Sequence, residues 1–183
     1  AKYINGHDSD IYHKKSVLYG LHLAKTAIAK KNFAILVEGY TDVITMHEKG
    51  ADTTVASCGT ALTPEQVKLL NKYCKHVILM RDGDSAGYKA VIRDIDICLA
   101  GGLQVSIIEL PENDDPDTFA RRTPNVEGFV KERAVDAVIW KAEQTAKDFV
   151  SDSYLFDKNN IEEELKLNIK SLESNRITTD QLS

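Results

Sequence analysis

Long apolar runs are missing from this chain. No stretch approaches the roughly 20 consecutive apolar residues of a membrane-spanning helix, which excludes a helical membrane span. Cysteine is scarce: Cys58, Cys74 and Cys98 are scattered, with no Cys-x-x-Cys pair. That pattern argues against a disulfide framework and a zinc site, and for small thiols in a cytoplasmic protein. The histidines, His7, His13, His22, His47 and His76, also lack metal-ligand spacing. Positive charge is in deficit, with 23 Lys and Arg against 28 Asp and Glu, a formal net charge of −5. A uniformly acidic surface repels nucleic acid, so any nucleic-acid role needs a local basic patch or bound cations. There is no internal repeat and no low-complexity linker. The first residues, "AKYINGHDSD", have neither an initiating Met nor the apolar core of a signal peptide. The chain is therefore expected to start inside a larger protein.

What is present suits a folded domain, since 43% of the residues are hydrophobic. Val17, Leu21, Ala24 and Ile28 recur at helical spacing and predict a helix over 13–31. "FAILVE" reads as a buried strand ending in Glu38, and "YTDVITMHEKG" as a short helix closed by Gly50. "TTVAS" is strand-like. Thr63, Pro64 and Gln66 form a helix start with a capping box, leading to a helix as far as about Tyr73. "HVILM" predicts a third strand. Tyr88, Val91, Ile95, Cys98 and Leu99 predict a helix stopped by Gly101-Gly102, and "QVSIIEL" a fourth strand followed by the acidic loop "PENDDPDTF". Alternating strands and helices imply an α/β fold with a parallel sheet covered on both faces. From about residue 124 the pattern is helical only. Val130, Ala134, Ala137 and Val138 mark one face; Ile161, Leu165, Ile169 and Leu172 mark another. The expected organisation is a lead-in segment over 1–31, an α/β domain over 32–123 and a helical appendage over 124–183.

Three of the four expected strands end in acids. Glu38 closes the first, Asp82 and Asp84 follow the third, and Asp114, Asp115 and Asp117 follow the fourth. Ligands of an open parallel sheet sit beyond the carboxyl ends of its strands, so these groups are expected to meet along one edge. Each has a plainer explanation as a turn or cap, but their joint placement does not. Like charges gathered there repel unless neutralised. Mg²⁺ or Mn²⁺ would do so, binding one or two carboxylates, waters and substrate phosphate. Two such ions suit phosphoryl or nucleotidyl transfer.

These residues resemble the TOPRIM signature, a Glu after one strand and Asp-x-Asp after another, here Glu38 and Asp82-Gly83-Asp84. The blocks "VEGYTDV", "ASCGTALTPEQ", "DGDSAGYKA" and "DDPDTF" follow in the order seen in bacterial replicative primases, and "KYIN" and "YHKKSVLYGL" resemble the stretch that precedes TOPRIM there. The resemblance covers roughly residues 2–122. It implies a TOPRIM fold with a mostly parallel four-stranded sheet flanked by helices, plus the helical appendage. It implies a nucleotidyltransferase making short RNA primers on a single-stranded DNA template from ribonucleoside triphosphates, using Mg²⁺ or Mn²⁺, two ions being expected. Glu38, Asp82 and Asp84 match the family's catalytic acids. The same three with Asp115 and Asp117 match its metal ligands, and Lys2, Asn5 and Lys14 match residues near nucleotide and template. Thr60, Ala61 and Thr63 read as turn and cap. The family's zinc site belongs to an N-terminal domain not found here, and its contact with the replicative helicase to a C-terminal domain also not found. The resemblance places the parent protein in the cytoplasm at the replisome and nucleoid, with the fragment alone weakly active or inactive. Arg81 stands where primases often carry an aromatic or small residue, and Lys15 where Gly is common. Arg81 is expected to pair with one of the acids and lower its pKa. Two other readings compete: another TOPRIM enzyme, a topoisomerase or nuclease, or a phosphate-responsive interaction module on a receiver-like sheet. The latter wants its acidic pair after the first strand, the reverse of what this chain has.

Overall fold

The structure is a computed structural model that describes residues 13–57, 61–111 and 114–151, together with Lys166. The chain divides between Ala134 and Val135 into two units. The first opens with a single 3-10 turn, Lys14–Ser16, and only then enters helix α1, Leu21–Lys31. The continuous helix expected over 13–31 does not form. Gly20 caps α1 at φ 79°, a left-handed backbone that ends helical continuity. Just before it, Tyr19 forms an antiparallel bridge with Ala56. Leu21, Ala24 and Ile28 are buried as their period predicts, while Val17, upstream of the break, is 36% exposed.

The chain then alternates: β1 Phe33–Val37, α2 Tyr40–Glu48, β2 Thr54–Ala56, α3 Pro64–Leu70, β3 His76–Met80, α4 Ser85–Ala100 and β4 Gln104–Ile108. Thr63 caps α3 as its sequence predicts. Its side chain accepts from the Gln66 N–H at 3.2 Å, and its own N–H donates to Gln66 Oε1 at 3.1 Å. The fourth strand stops short of Glu109 and Leu110, and α3 ends at Leu70 rather than near Tyr73. The acidic stretch after β4 is not all loop: Asp115 caps a further helix, α5 Pro116–Arg122, with proline in its first turn.

Within this unit the strands lie in the order β2-β1-β3-β4, and the three pairings are parallel. The chain leaves β1 for β2 on one side, then returns past β1 to β3 on the other. The direction of winding therefore reverses between β1 and β3, which opens a crevice beyond their carboxyl ends. On one face Ile35, Val37, Ile78, Met80 and Ile108 share a core with Val43 and Met46 of α2, Phe119 and Ala120 of α5, and Val126 and Val130 of α6, Val126–Arg133. The intervening residues Ala34, Leu36, Val77 and Leu79 are equally buried and, by the period of two, serve the opposite face, where α1 and α4 contact the strands. Burial on both faces explains why β1 is apolar at every position.

The second unit begins with the two-residue strand β5, Val135–Asp136, and continues as α7, Ala137–Ser151. The single helical face expected through Val130, Ala134, Ala137 and Val138 is thus split. Ala134 ends α6 in an extended conformation, ψ 124°, and Asp136 Oδ1 restarts a helix by accepting the Val138 N–H at 2.9 Å. Because Val126 and Val130 belong to the first core, the units meet ten or so residues after the sequence-based boundary at 124. The expected face through Ile161, Leu165, Ile169 and Leu172 lies outside the described residues.

Candidate metal centre

The turn after β3 is shaped by backbone crowding. A Cβ on Gly83 would lie 2.2 Å from the Pro111 carbonyl oxygen, and one on Gly87 would lie 2.1 Å from that of Asp82. Only glycine fits at either place. The Gly83 N–H donates to the Asp114 carbonyl at 2.8 Å, which fastens the β3–α4 turn to the β4–α5 loop. The aspartates of both loops are thereby held on one rim.

Burial and neighbouring charge act together on Asp82. Partial burial comes first, then the charges of Glu38, Asp42, Asp115 and Asp84, and its carboxyl is pushed up to about 6. Acids from the ends of β1, β3 and β4 therefore lie within each other's fields at the β1/β3 reversal point. Asp84 is exposed; it caps α4 through Oδ1, which accepts the Gly87 N–H at 2.7 Å. Asp115 Oδ1 accepts the Thr118 N–H at 2.7 Å. Glu38 keeps 40% of its side chain exposed.

The expectation about the charge partner of Arg81 changes. Arg81 does not chiefly hold a rim acid. Its Nη2 donates to Asp94 Oδ2 at 2.5 Å, and it comes only within 4.0 Å of Glu38. The acid following it, Asp82, is raised, not lowered. Asp117 accepts from Thr45 Oγ1 and pairs with Arg121 Nη2 at 2.9 Å. Asp114 is buried and bound by Arg122 and, at 2.5 Å, by Thr118 Oγ1.

Two acids escaped the sequence reading. Asp42 is 6% exposed; burial, with Asp115, Asp117 and Glu38 adding to it, raises its carboxyl, and the Gly39 N–H at 2.8 Å opposes that rise. Its signal was its position one helical turn after Glu38. Asp94 is fully buried between Val91 and Cys98 on the apolar stripe of α4. A carboxylate on such a stripe implies a buried cation, here Arg81.

Among the described residues, no three His, Cys, Asp or Glu close around a point as a finished cage. The rim groups are all carboxylate oxygens, and their mutual repulsion still holds Asp82 raised with Arg121 on Asp117 and Arg81 at 4.0 Å from Glu38. That is the donor chemistry of a hard divalent cation that keeps much of its water, not of zinc. A cavity of about 320 Å³ is lined by Lys14, Tyr19, His22, Tyr40 and Ser57 among others. Tyr40 follows β1 and Ser57 follows β2, so the cavity opens at the same edge of the sheet. Tyr19 and Tyr40 meet edge to face, ring centroids 4.7 Å apart. Gln66, fully buried, donates to the carbonyls of Lys14 and Val17 at 3.2 and 2.8 Å and so holds the Lys14 turn in place. Lys15 is exposed, and its carbonyl accepts from Thr63 Oγ1 at 2.6 Å. Lys2, Asn5 and Thr60 lie outside the described residues.

Residues 35–120 match the Toprim-like family, and that stretch is a domain of that class. Its relatives within the class are DNA primases. It is 39% identical over 156 residues to the DNA primase of Aquifex aeolicus (strain VF5), an alignment spanning 81% of this chain and 31% of that protein. The crystal structure of the zinc-binding and RNA polymerase domains of the Aquifex aeolicus primase superposes with a TM-score of 0.74 at 36% identity, over 82% of this chain and 38% of that one. A primase catalytic domain solved bound to single-stranded DNA gives a TM-score of 0.67 at 36% identity, over 75% and 46%. The chain is thus a homologue of the bacterial primases, and it spans about a third of the length of the curated relative.

Proposed function

We propose that this chain is the Toprim part of a DNA-directed primase that makes short RNA primers on single-stranded DNA by nucleotidyl transfer dependent on divalent metal. The observation that carries the reading is the charge at the rim, where Asp82 is pushed up to about 6 by burial and four other carboxylates. Glu38, Asp82 and Asp84, with Asp115 and Asp117, would hold one or two Mg²⁺ or Mn²⁺ ions. Bound there, such ions supply Lewis-acid charge at a triphosphate and at the attacking hydroxyl. The chain's own groups do the rest. Asp84 and Asp115 each commit one oxygen to a helix cap, which fixes their direction. Glu38, on the exposed side, is placed to bind metal or to accept the proton of a primer 3′-hydroxyl. Asp117 takes part once Arg121 moves off it.

Lys14 would meet phosphate as a point charge, with Tyr19 and Tyr40 walling the cavity against a base and ribose. Lys2 and Asn5 are assigned to the same nucleotide and template. The solved relative bound to single-stranded DNA supports that template class. Ribonucleoside triphosphates, an RNA primer and a replicative helicase reached through another domain complete the proposed partners, in the cytoplasm at the replisome. The test is Mn²⁺ titration of the chain followed by the EPR signal of the free ion. Saturable binding lost in Asp82→Ala supports the reading, and an absence of binding by the wild-type chain overturns it. The chain alone is expected to extend primers weakly, since its relatives are some three times longer; robust templated synthesis would contradict that point.

A further inference from the structure

We propose that Arg81 is a positioning residue that sets the spacing of the carboxylates at the β1/β3 reversal point, and so governs their affinity for divalent metal without touching the ion. The inference rests on the metal-centre reading above and concerns a residue that the family pattern does not supply.

Arg81 is the first residue beyond β3, and its side chain is only 4% exposed. Nη2 donates to Asp94, which is fully buried on α4, and Nη1 donates to the Val37 carbonyl at 3.2 Å. The last paired residues of β1 and β3 are Leu36 and Leu79. Beyond them the ladder no longer ties the two strands, yet the rim acids Glu38 and Asp82 lie just past that point. The Arg81 guanidinium continues the connection. It joins Val37, the residue before Glu38, to the residue before Asp82, and anchors both to the middle of α4.

Stability alone is a poor account of this arrangement. A buried ion pair often adds less than well-packed apolar side chains of the same volume, and Arg81 Nε is buried with no hydrogen-bond partner. Simple neutralisation of Glu38 is a poor account too. The 4.0 Å separation is at the limit of an ion pair, and Nη1 is engaged by Val37. What the planar fork does supply is direction, because its two ends address a strand carbonyl and a helix carboxylate at a fixed angle. Arg93 also binds Asp94, at 3.0 Å through Nη2, so Asp94 is itself held from two sides.

The experiment compares Mn²⁺ affinity, by EPR, with the urea unfolding midpoint in four forms of the chain: wild type, Arg81→Met, Arg81→Lys and the double variant Arg81→Met/Asp94→Leu. Arg81→Met leaves the fully buried Asp94 with Arg93 alone and is expected to unfold early. The double variant removes one charge of each sign, so net charge is unchanged, and apolar side chains replace the pair. Its unfolding midpoint should return to the wild-type value while Mn²⁺ binding stays at least about tenfold weaker, the usual effect of losing an outer support of a metal site. Arg81→Lys keeps the charge and loses the fork, and is expected to bind about tenfold more weakly as well. If the double variant recovers its midpoint and binds Mn²⁺ as tightly as wild type, the proposal is overturned. If it fails to recover, Arg81→Lys decides: a folded Lys variant with wild-type affinity overturns the proposal, and weakened binding upholds it. No Mn²⁺ binding by the wild-type chain overturns both this proposal and the metal-centre reading.

Discussion

Replacing Asp82 by Asn should make the metal-free protein more stable at neutral pH. In the fold the Asp82 carboxyl titrates at about 6, against an ordinary 3.8. Burial and the charges of Glu38, Asp42, Asp115 and Asp84 favour its neutral form. The folded state therefore holds more protons than the unfolded chain between these two values, and stability falls as pH rises through that window. Each pK unit corresponds to about 1.4 kcal/mol, so the ionised Asp82 costs the fold up to about 3 kcal/mol above pH 6. Partial exposure and salt screening trim this, and about 1–3 kcal/mol is the expected gain for Asp82→Asn at pH 7.5 and low salt. In a chain of this size that is a rise of several degrees in Tm. Urea denaturation of both proteins from pH 4 to pH 8, without divalent ions, measures it. The two should coincide near pH 4 and separate as pH rises. Added Mg²⁺ should then stabilise the wild type more than the variant. An Asn variant that is no more stable than wild type at pH 7.5, or whose advantage is the same at pH 4, would refute the electrostatic account of the rim.

Other substitutions address other parts of the site. Gly83→Ala should cost about 1–3 kcal/mol in urea denaturation, because its Cβ has no room beside the Pro111 carbonyl, and it should weaken Mn²⁺ binding by separating the two acidic loops. Gln66→Ala should lose about 2 kcal/mol, since the Lys14 and Val17 carbonyls and the Thr63 N–H all lose a partner; chemical denaturation reads this directly. Arg121→Ala should leave the unfolding midpoint unchanged and tighten Mn²⁺ binding, because it frees Asp117 from a competing guanidinium; EPR titration at low ionic strength checks it.

Most of the first unit could be read from the sequence because its signals are local. β1 and β3 are buried on both faces, so each is a short unbroken apolar run, and Thr63, Pro64 and Gln66 announce α3 within four residues. The acids at the strand ends were legible for a topological reason: parallel strands deliver their carboxyl ends to one edge wherever they sit in the order. The misreadings share a different cause. The pattern through Val17 ran on across Gly20, which takes a left-handed backbone next to the Tyr19–Ala56 bridge, a contact between residues far apart in the chain. The apparent face from Val130 to Val138 joined two helices that an extended Ala134 separates. Arg81 and Asp94 meet only through space. The sequence hinted at them solely through a charge on the buried stripe of α4, and at Asp42 only through its place one helical turn after Glu38, inside a helix start that looked complete without it.

The stitch between Gly83 and Asp114 has a consequence for synthesis. Glu38 leaves the ribosome early and Asp115 late, and neither has its neighbours until the fourth strand has docked and the loop after it has closed on the β3 turn. A partly made chain thus displays scattered, solvated carboxylates with no collective pull on a cation. On the metal-centre reading, the capacity to capture one would arrive only with β4 and the loop after it, because the Gly83–Asp114 hydrogen bond that joins the two acidic loops needs both.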